Sequence, residues 1–185
     1  MTQTKLVIGF DNVFIEEARK AAKRAADAAT RDDAGTAAGA TATAVLLSAA
    51  ACEARLAEYV TRRESEFGTE FVAQVRDQSD LREQWKQVVK EVASDFDLGT
   101  KEFLALGCLF KLRNLVAHRH AKFLPLGKWP KELQDCIAQK AIPVDKTGGM
   151  DWTSATYVHE VAEWAHQTAA KWLATMAGLG IVATK

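Results

Sequence analysis

Arg113, Asn114 and His118 fall within six residues, in the segment Leu112-Arg-Asn-Leu-Val-Ala-His118. These are the side chains needed to cut RNA without a metal ion. RNA carries its own nucleophile, the 2′-hydroxyl, so an enzyme must remove that proton, protonate the leaving oxygen and balance charge on the phosphate. A histidine with an ordinary pKa of about 6.5 suits the proton transfers. An arginine presents a planar fork of donors to non-bridging phosphate oxygens. The Asn114 carboxamide can hold a phosphate oxygen, a hydroxyl or the imidazole in place.

The surroundings have the matching charge. No Asp or Glu occurs from Phe103 to Lys131, while Lys111, Arg113, Arg119, Lys122, Lys128 and Lys131 are basic. Lys111, Arg119, His120 and Lys122 are therefore candidate RNA contacts beside the trio. The whole chain has 24 basic and 24 acidic side chains, so no global field draws it to nucleic acid or anionic lipid. Any polyanion contact must be local.

The element that positions these residues reads as a helix from Thr100 to about His120. Projected at about 100° per residue, it is apolar on two sides. Leu104, Ala105, Cys108, Leu109, Leu112, Leu115 and Val116 make one face. Phe103, Leu106, Phe110 and Ala117 make the other, bordered by Arg113, Asn114 and His118. Positions five apart differ by about 140°, so Arg113 and His118 converge poorly on one helix. A symmetric dimer closing on the second face would bring two copies of the trio into one cleft.

Helical spacing recurs along most of the chain. Asp11 to Thr30 has an alanine stripe, Arg31 to Ala40 reads as a flexible connection, and Thr41 to about Glu66 is apolar along Leu46, Ala49, Leu56 and Val60. Glu53 falls inside that last stripe, where a carboxylate needs a partner such as Arg113 or a hydrogen-bonding group of the bundle. Asp80-Leu-Arg-Glu83 resembles a capping box ahead of Trp85, Val88, Val89 and Val92. Pro130 starts a short helix, 142–151 reads as a loop, and Trp152 to Met176 forms a last amphipathic helix. Only Leu6 to Phe10 has the makings of a strand. The expected fold is all-α: one helical bundle of five to six helices over residues 1–185, with a core such a length can bury.

Cys52, Cys108 and Cys136 are odd in number and widely spaced, which predicts reduced, packing cysteines. With no signal-peptide core and no apolar run of membrane-spanning length evident, a soluble cytoplasmic protein away from any membrane is expected. His159, Glu163 and His166 share a helix face, but no fourth ligand accompanies them, so neither a metal nor a cofactor is expected. Trp129, Trp152, Trp164 and Trp172 are expected mainly in the core, with base stacking the alternative.

The segment Leu109-Phe-Lys-Leu-Arg-Asn-Leu-Val-Ala-His118 follows Leu46-Leu-Ser-Ala-Ala-Ala-Cys-Glu-Ala-Arg-Leu-Ala-Glu58 in a helical chain. Together they resemble the HEPN superfamily of helical-bundle domains, many of which are metal-independent ribonucleases. The resemblance spans Asp11 to Met176 in helix order, but its specific part is the motif and the earlier Ala/Glu-rich helix. It implies a homodimer with the motif in a shared cleft, Arg113, Asn114 and His118 as the site, and products ending in a cyclic phosphate and a 5′-hydroxyl. It also implies a toxin-antitoxin or phage-defence role, with an antitoxin or regulatory protein as partner. Where some HEPN toxins have a tyrosine two residues after the histidine, the target of a nucleotidylating antitoxin, this chain has His120. The alternative is a non-catalytic HEPN-like dimer that binds RNA, a nucleotide or a partner protein through the same cleft.

Overall fold

Alanine spacing decides how the bundle begins. In the computed structural model, which describes residues 9–118, 128–144 and 152–181, α1 (Phe10–Thr30) buries Ala18, Ala21, Ala22, Ala25 and Ala28. The facing side of α2 (Ala34–Arg62) supplies Ala37, Ala40 and Ala44. Methyl-sized side chains let the two backbones approach closely. The connection is a three-residue turn in which Asp32 adopts a left-handed φ of 58°, a conformation aspartate tolerates better than most residues. Asp33 then caps α2, its Oδ1 accepting from the Thr36 N–H at 3.0 Å. The expected flexible stretch from Arg31 to Ala40 is therefore a tight turn and the start of a helix, because the cap outweighs Gly35 and Gly39.

The remaining helices are α3 (Glu64–Phe67), α4 (Thr69–Asp77), α5 (Leu81–Val92), α6 (Lys101–His118), α7 (Lys131–Ala138), α8 (Trp152–Thr156) and α9 (His159–Gly178). Nine helices and no strand occur among the described residues, against the five to six expected. The surplus is in short pieces. Gly68, at φ 82° and ψ 150°, separates α3 from α4 in a conformation open to glycine alone. The expected single helix from Trp152 breaks at Val158, which is extended. The run Thr156-Tyr157-Val158 is poor in helix formers, and Thr41 of α2 donates to the Val158 carbonyl at 3.2 Å. Phe10 is helical; residues 6–8 of the expected strand lie outside the described residues.

One large cluster joins side chains of α2, α4, α5, α6, α7 and α9, and Trp172 of α9 lies inside it. Its ring meets Trp85 edge-on at 5.5 Å and Phe103 at 5.4 Å between centroids. Trp152 is buried, and Trp129 and Trp164 pack partly buried against the core, as expected for structural tryptophans. The buried charge on α2 is Arg55, not Glu53. Arg55 pairs with fully buried Asp11 of α1 and donates to the Ile181 carbonyl at 3.3 Å, tying both ends of the described chain to α2. The buried stripe of α2 runs through Val45, Ala49, Cys52, Leu56 and Tyr59. That register leaves Glu53 exposed. By length and composition α2 is apolar enough to cross a membrane, contrary to expectation, yet half of that stretch is packed inside the bundle.

Both apolar faces of α6 are covered within the chain. Leu109 and Leu112 are buried on one, and Phe103, Leu106 and Phe110 on the other, where Phe103 lies against Trp172 and beneath Arg82 of α5. Asn114, Ala117 and His118 stay exposed. A second subunit is not what covers the second face: α5 and α9 occupy it. Cys108 of α6 and Cys136 of α7 form a disulfide, which corrects the expectation of three reduced cysteines. Sequence separation, 28 residues, concealed a pair that helix packing brings to a Cα–Cα distance of 5.7 Å. Cys52 is free and buried.

Candidate functional site

The last three turns of α6 form one wall of an open cleft of about 500 Å³; the residues entering α5 form the other. Lys111, Arg113, Asn114 and His118 line the α6 side together with Gly107 and Phe110. Ser79, Asp80, Leu81 and Arg82 line the opposite side. The separation of Arg113 and His118 by about 140° makes them converge poorly on one helix, a gap that a symmetric dimer would close. The packing of α5 against α6 instead makes both residues border one cleft in a single chain, with the long arginine side chain spanning part of the angle.

Each side chain has a distinct setting. Arg113 is partly buried, its side chain 25 % exposed, and its Nη2 donates to Glu53 Oε2 at 3.4 Å. Glu53 reaches across from α2 with its own side chain 57 % exposed, so the pair is screened and exchangeable. Lys111, Asn114 and His118 are exposed, His118 as the last residue of α6. Arg119, His120 and Lys122 lie outside the described residues. Arg82, Lys111 and Arg113 give the cleft three fixed positive charges, against one carboxylate in its lining, Asp80. Asp80 caps α5, its Oδ1 accepting from the Arg82 main-chain N–H at 2.8 Å. The other half of the expected capping box does not form; Glu83 pairs with Lys86 instead.

Arg82 is the residue that sequence reasoning missed. Its guanidinium lies 4.7 Å from the Phe103 ring centre, and its Nε is buried without a hydrogen-bond partner among the described residues. A Cβ on Gly107 would come within 2.8 Å of Arg82 Cδ. The usable signal was Gly107 itself, a glycine in a helix interior, where it costs about 1 kcal/mol relative to alanine.

No cluster of three potential metal ligands occurs among the described residues. His159 pairs with Glu160 at 3.2 Å, and Glu163 accepts from Gln167 at 2.6 Å. The Cys52 thiol is pushed far up by burial, which makes it a poor nucleophile.

The chain matches no family model, no curated protein and no solved structure.

Proposed function

We propose that this chain is a metal-independent endoribonuclease that cuts RNA by attack of the 2′-oxygen on the adjacent phosphorus. His118 takes the 2′-hydroxyl proton as the new O–P bond forms and the bond to the 5′-oxygen breaks. The departing oxygen receives a proton from an imidazolium, leaving a 2′,3′-cyclic phosphate and a 5′-hydroxyl. Arg113 and Lys111 balance the charge that grows on the non-bridging oxygens, and Asn114 orients the phosphate or the imidazole. The observation that carries this reading is the shared cleft: Arg113, Asn114 and His118 border one solvent-open groove rich in positive charge. The resemblance of residues 109–118 to the HEPN motif supports the same assignment.

Two further parts belong to the proposal. The active form is a homodimer meeting over the exposed end of α6, at Asn114, Ala117 and His118, so that a second His118 can serve as the acid. The biological role is a toxin or phage-defence nuclease held in check by a partner protein. Incubation with RNA in EDTA, alongside His118→Ala and Arg113→Ala, tests the chemistry. Light scattering tests the dimer, and a monomer at all concentrations would remove it.

The Glu53–Arg113 contact favours a second reading, a cleft that binds RNA or a nucleotide without cutting it, because a carboxylate already occupies the arginine. At 3.4 Å and with Glu53 more than half exposed, that contact yields readily to a phosphate, so the nuclease reading ranks first.

A further inference from the structure

Arg82 and Lys111 both lack an anion among the described residues, while Arg113 has Glu53, and of the two only Arg82 has a donor sealed from water without a partner. Its guanidinium is stacked on Phe103, its Nε is shielded from water and unbonded, and no carboxylate among the described residues pairs with it. Asp80 is adjacent in sequence, but the bond it makes is to the Arg82 main-chain N–H. Gly107 clears the space: a β-carbon there would lie 2.8 Å from Cδ and 3.1 Å from Nε. A glycine inside a helix and an arginine with an unused donor thus meet at one end of the groove that has His118 at the other.

The separation matters. Gly107 and His118 are eleven residues apart on one helix, which spans about 16 Å. One phosphate cannot bridge it, whereas a strand presents charges repeatedly along that length. The sealed Nε faces α6, so a phosphate would meet the guanidinium through its Nη groups, which make no hydrogen bond among the described residues and whose paired donors match phosphate oxygens.

We propose that Arg82 holds a backbone phosphate of the RNA strand flanking the one that is cleaved, so that the cleft takes an oligonucleotide rather than a mononucleotide. This rests on the ribonuclease reading of the same cleft and adds a residue that positions the strand. Arg82 is a positioning residue: it grips the strand away from the reacting atoms and sets which phosphate reaches His118. Stacking on Phe103 fixes the guanidinium plane, and Gly107 keeps α6 out of its way.

The test is binding of a short all-deoxy oligonucleotide, which lacks the attacking 2′-hydroxyl and stays intact, followed across a salt series. Arg82→Gln should weaken binding about tenfold, the loss of one charge-assisted contact. It should also lower the slope of log affinity against log salt by about 0.7, the share of one phosphate on a single strand. Arg82→Lys keeps the charge and should restore the slope. With a dinucleoside monophosphate, which has one phosphate only, the Arg82→Gln penalty should shrink. Gly107→Ala displaces the guanidinium with every charge retained and should also weaken oligonucleotide binding, which keeps the test alive if Arg82→Gln does not fold. Wild-type affinity and slope in both Arg82→Gln and Gly107→Ala would overturn the proposal, as would equal penalties for the two ligands. Loss of cleavage chemistry is read separately, from His118→Ala on RNA. A protein that binds through Arg82 without cutting therefore defeats the nuclease reading alone.

Discussion

Arg113 Nη2 and Glu53 Oε2 face each other at 3.4 Å across α6 and α2, and this contact sets the resting direction of the arginine. Because Glu53 is more than half exposed, Glu53→Ala should change folding stability by less than about 1 kcal/mol. Cleavage should fall several-fold and less than in Arg113→Ala, while Glu53→Gln, which keeps an acceptor oxygen, should lie nearer wild type. Kinetics and thermal melts on the three variants check this; Glu53→Ala as inactive as Arg113→Ala would make Glu53 a participant in the chemistry.

Phe110 is buried inside the chain, not at a subunit boundary. Phe110→Ala should cost roughly 3–5 kcal/mol by emptying a packed site. The loss should be the same at every protein concentration in a denaturant titration. A penalty that grows on dilution would return Phe110 to an interface.

The cysteines give a thiol count. Native protein without reductant should show no rapidly reacting thiol, since Cys52 is buried and Cys108 is joined to Cys136. Unfolding without reductant should release one thiol, and unfolding with reductant all three. The bridge closes a 28-residue separation that contains the Arg113–His118 segment. Its removal by Cys108→Ala with Cys136→Ala should therefore cost about 3–4 kcal/mol on loop entropy. Three thiols in unreduced protein taken from a reducing cytoplasm would show that the bridge does not form there.

Asp33 supplies a pH handle on the α1–α2 turn. Hydrogen bonds from the Thr36 hydroxyl and then the Thr36 main-chain N–H hold its carboxyl below the ordinary value. A lowered folded pKa means the stabilisation is present above the unfolded value and is lost as pH falls through the folded one. Asp33→Ala should thus lower Tm at neutral pH, and the gap to wild type should close under acid. A gap that persists once the carboxyl is protonated would show that the cap acts without its charge.

The sequence made some of this arrangement readable and hid the rest for physical reasons. Helical periodicity located α1, α5 and α9 because their apolar spacing answers to one packed side, and α6 because both of its apolar faces repeat at helical spacing. It misjudged the 31–40 segment, where one capping aspartate outweighs two glycines. It placed Glu53 in the buried stripe because Leu46, Ala49, Leu56 and Val60 give a plausible register. Ala49, Leu56 and Val60 are indeed buried, but the packed face widens toward Cys52 and Arg55, which is buried against Asp11, and leaves Glu53 at its exposed flank. Periodicity is blind to what lies across a helix. The Cys108–Cys136 pair leaves no local signature, and the position of Arg82 over Phe103 leaves only the helix-interior Gly107, since both arise where α6 meets α7 and α5.

The central claim is tested most directly by incubating the purified protein with RNA in EDTA beside His118→Ala and Arg113→Ala, and analysing the fragment ends. The account predicts wild-type cleavage leaving cyclic phosphates and 5′-hydroxyls, with each variant slower by about 100-fold or more. Equal cleavage by all three proteins, or no cleavage of any RNA by the wild type, would contradict it.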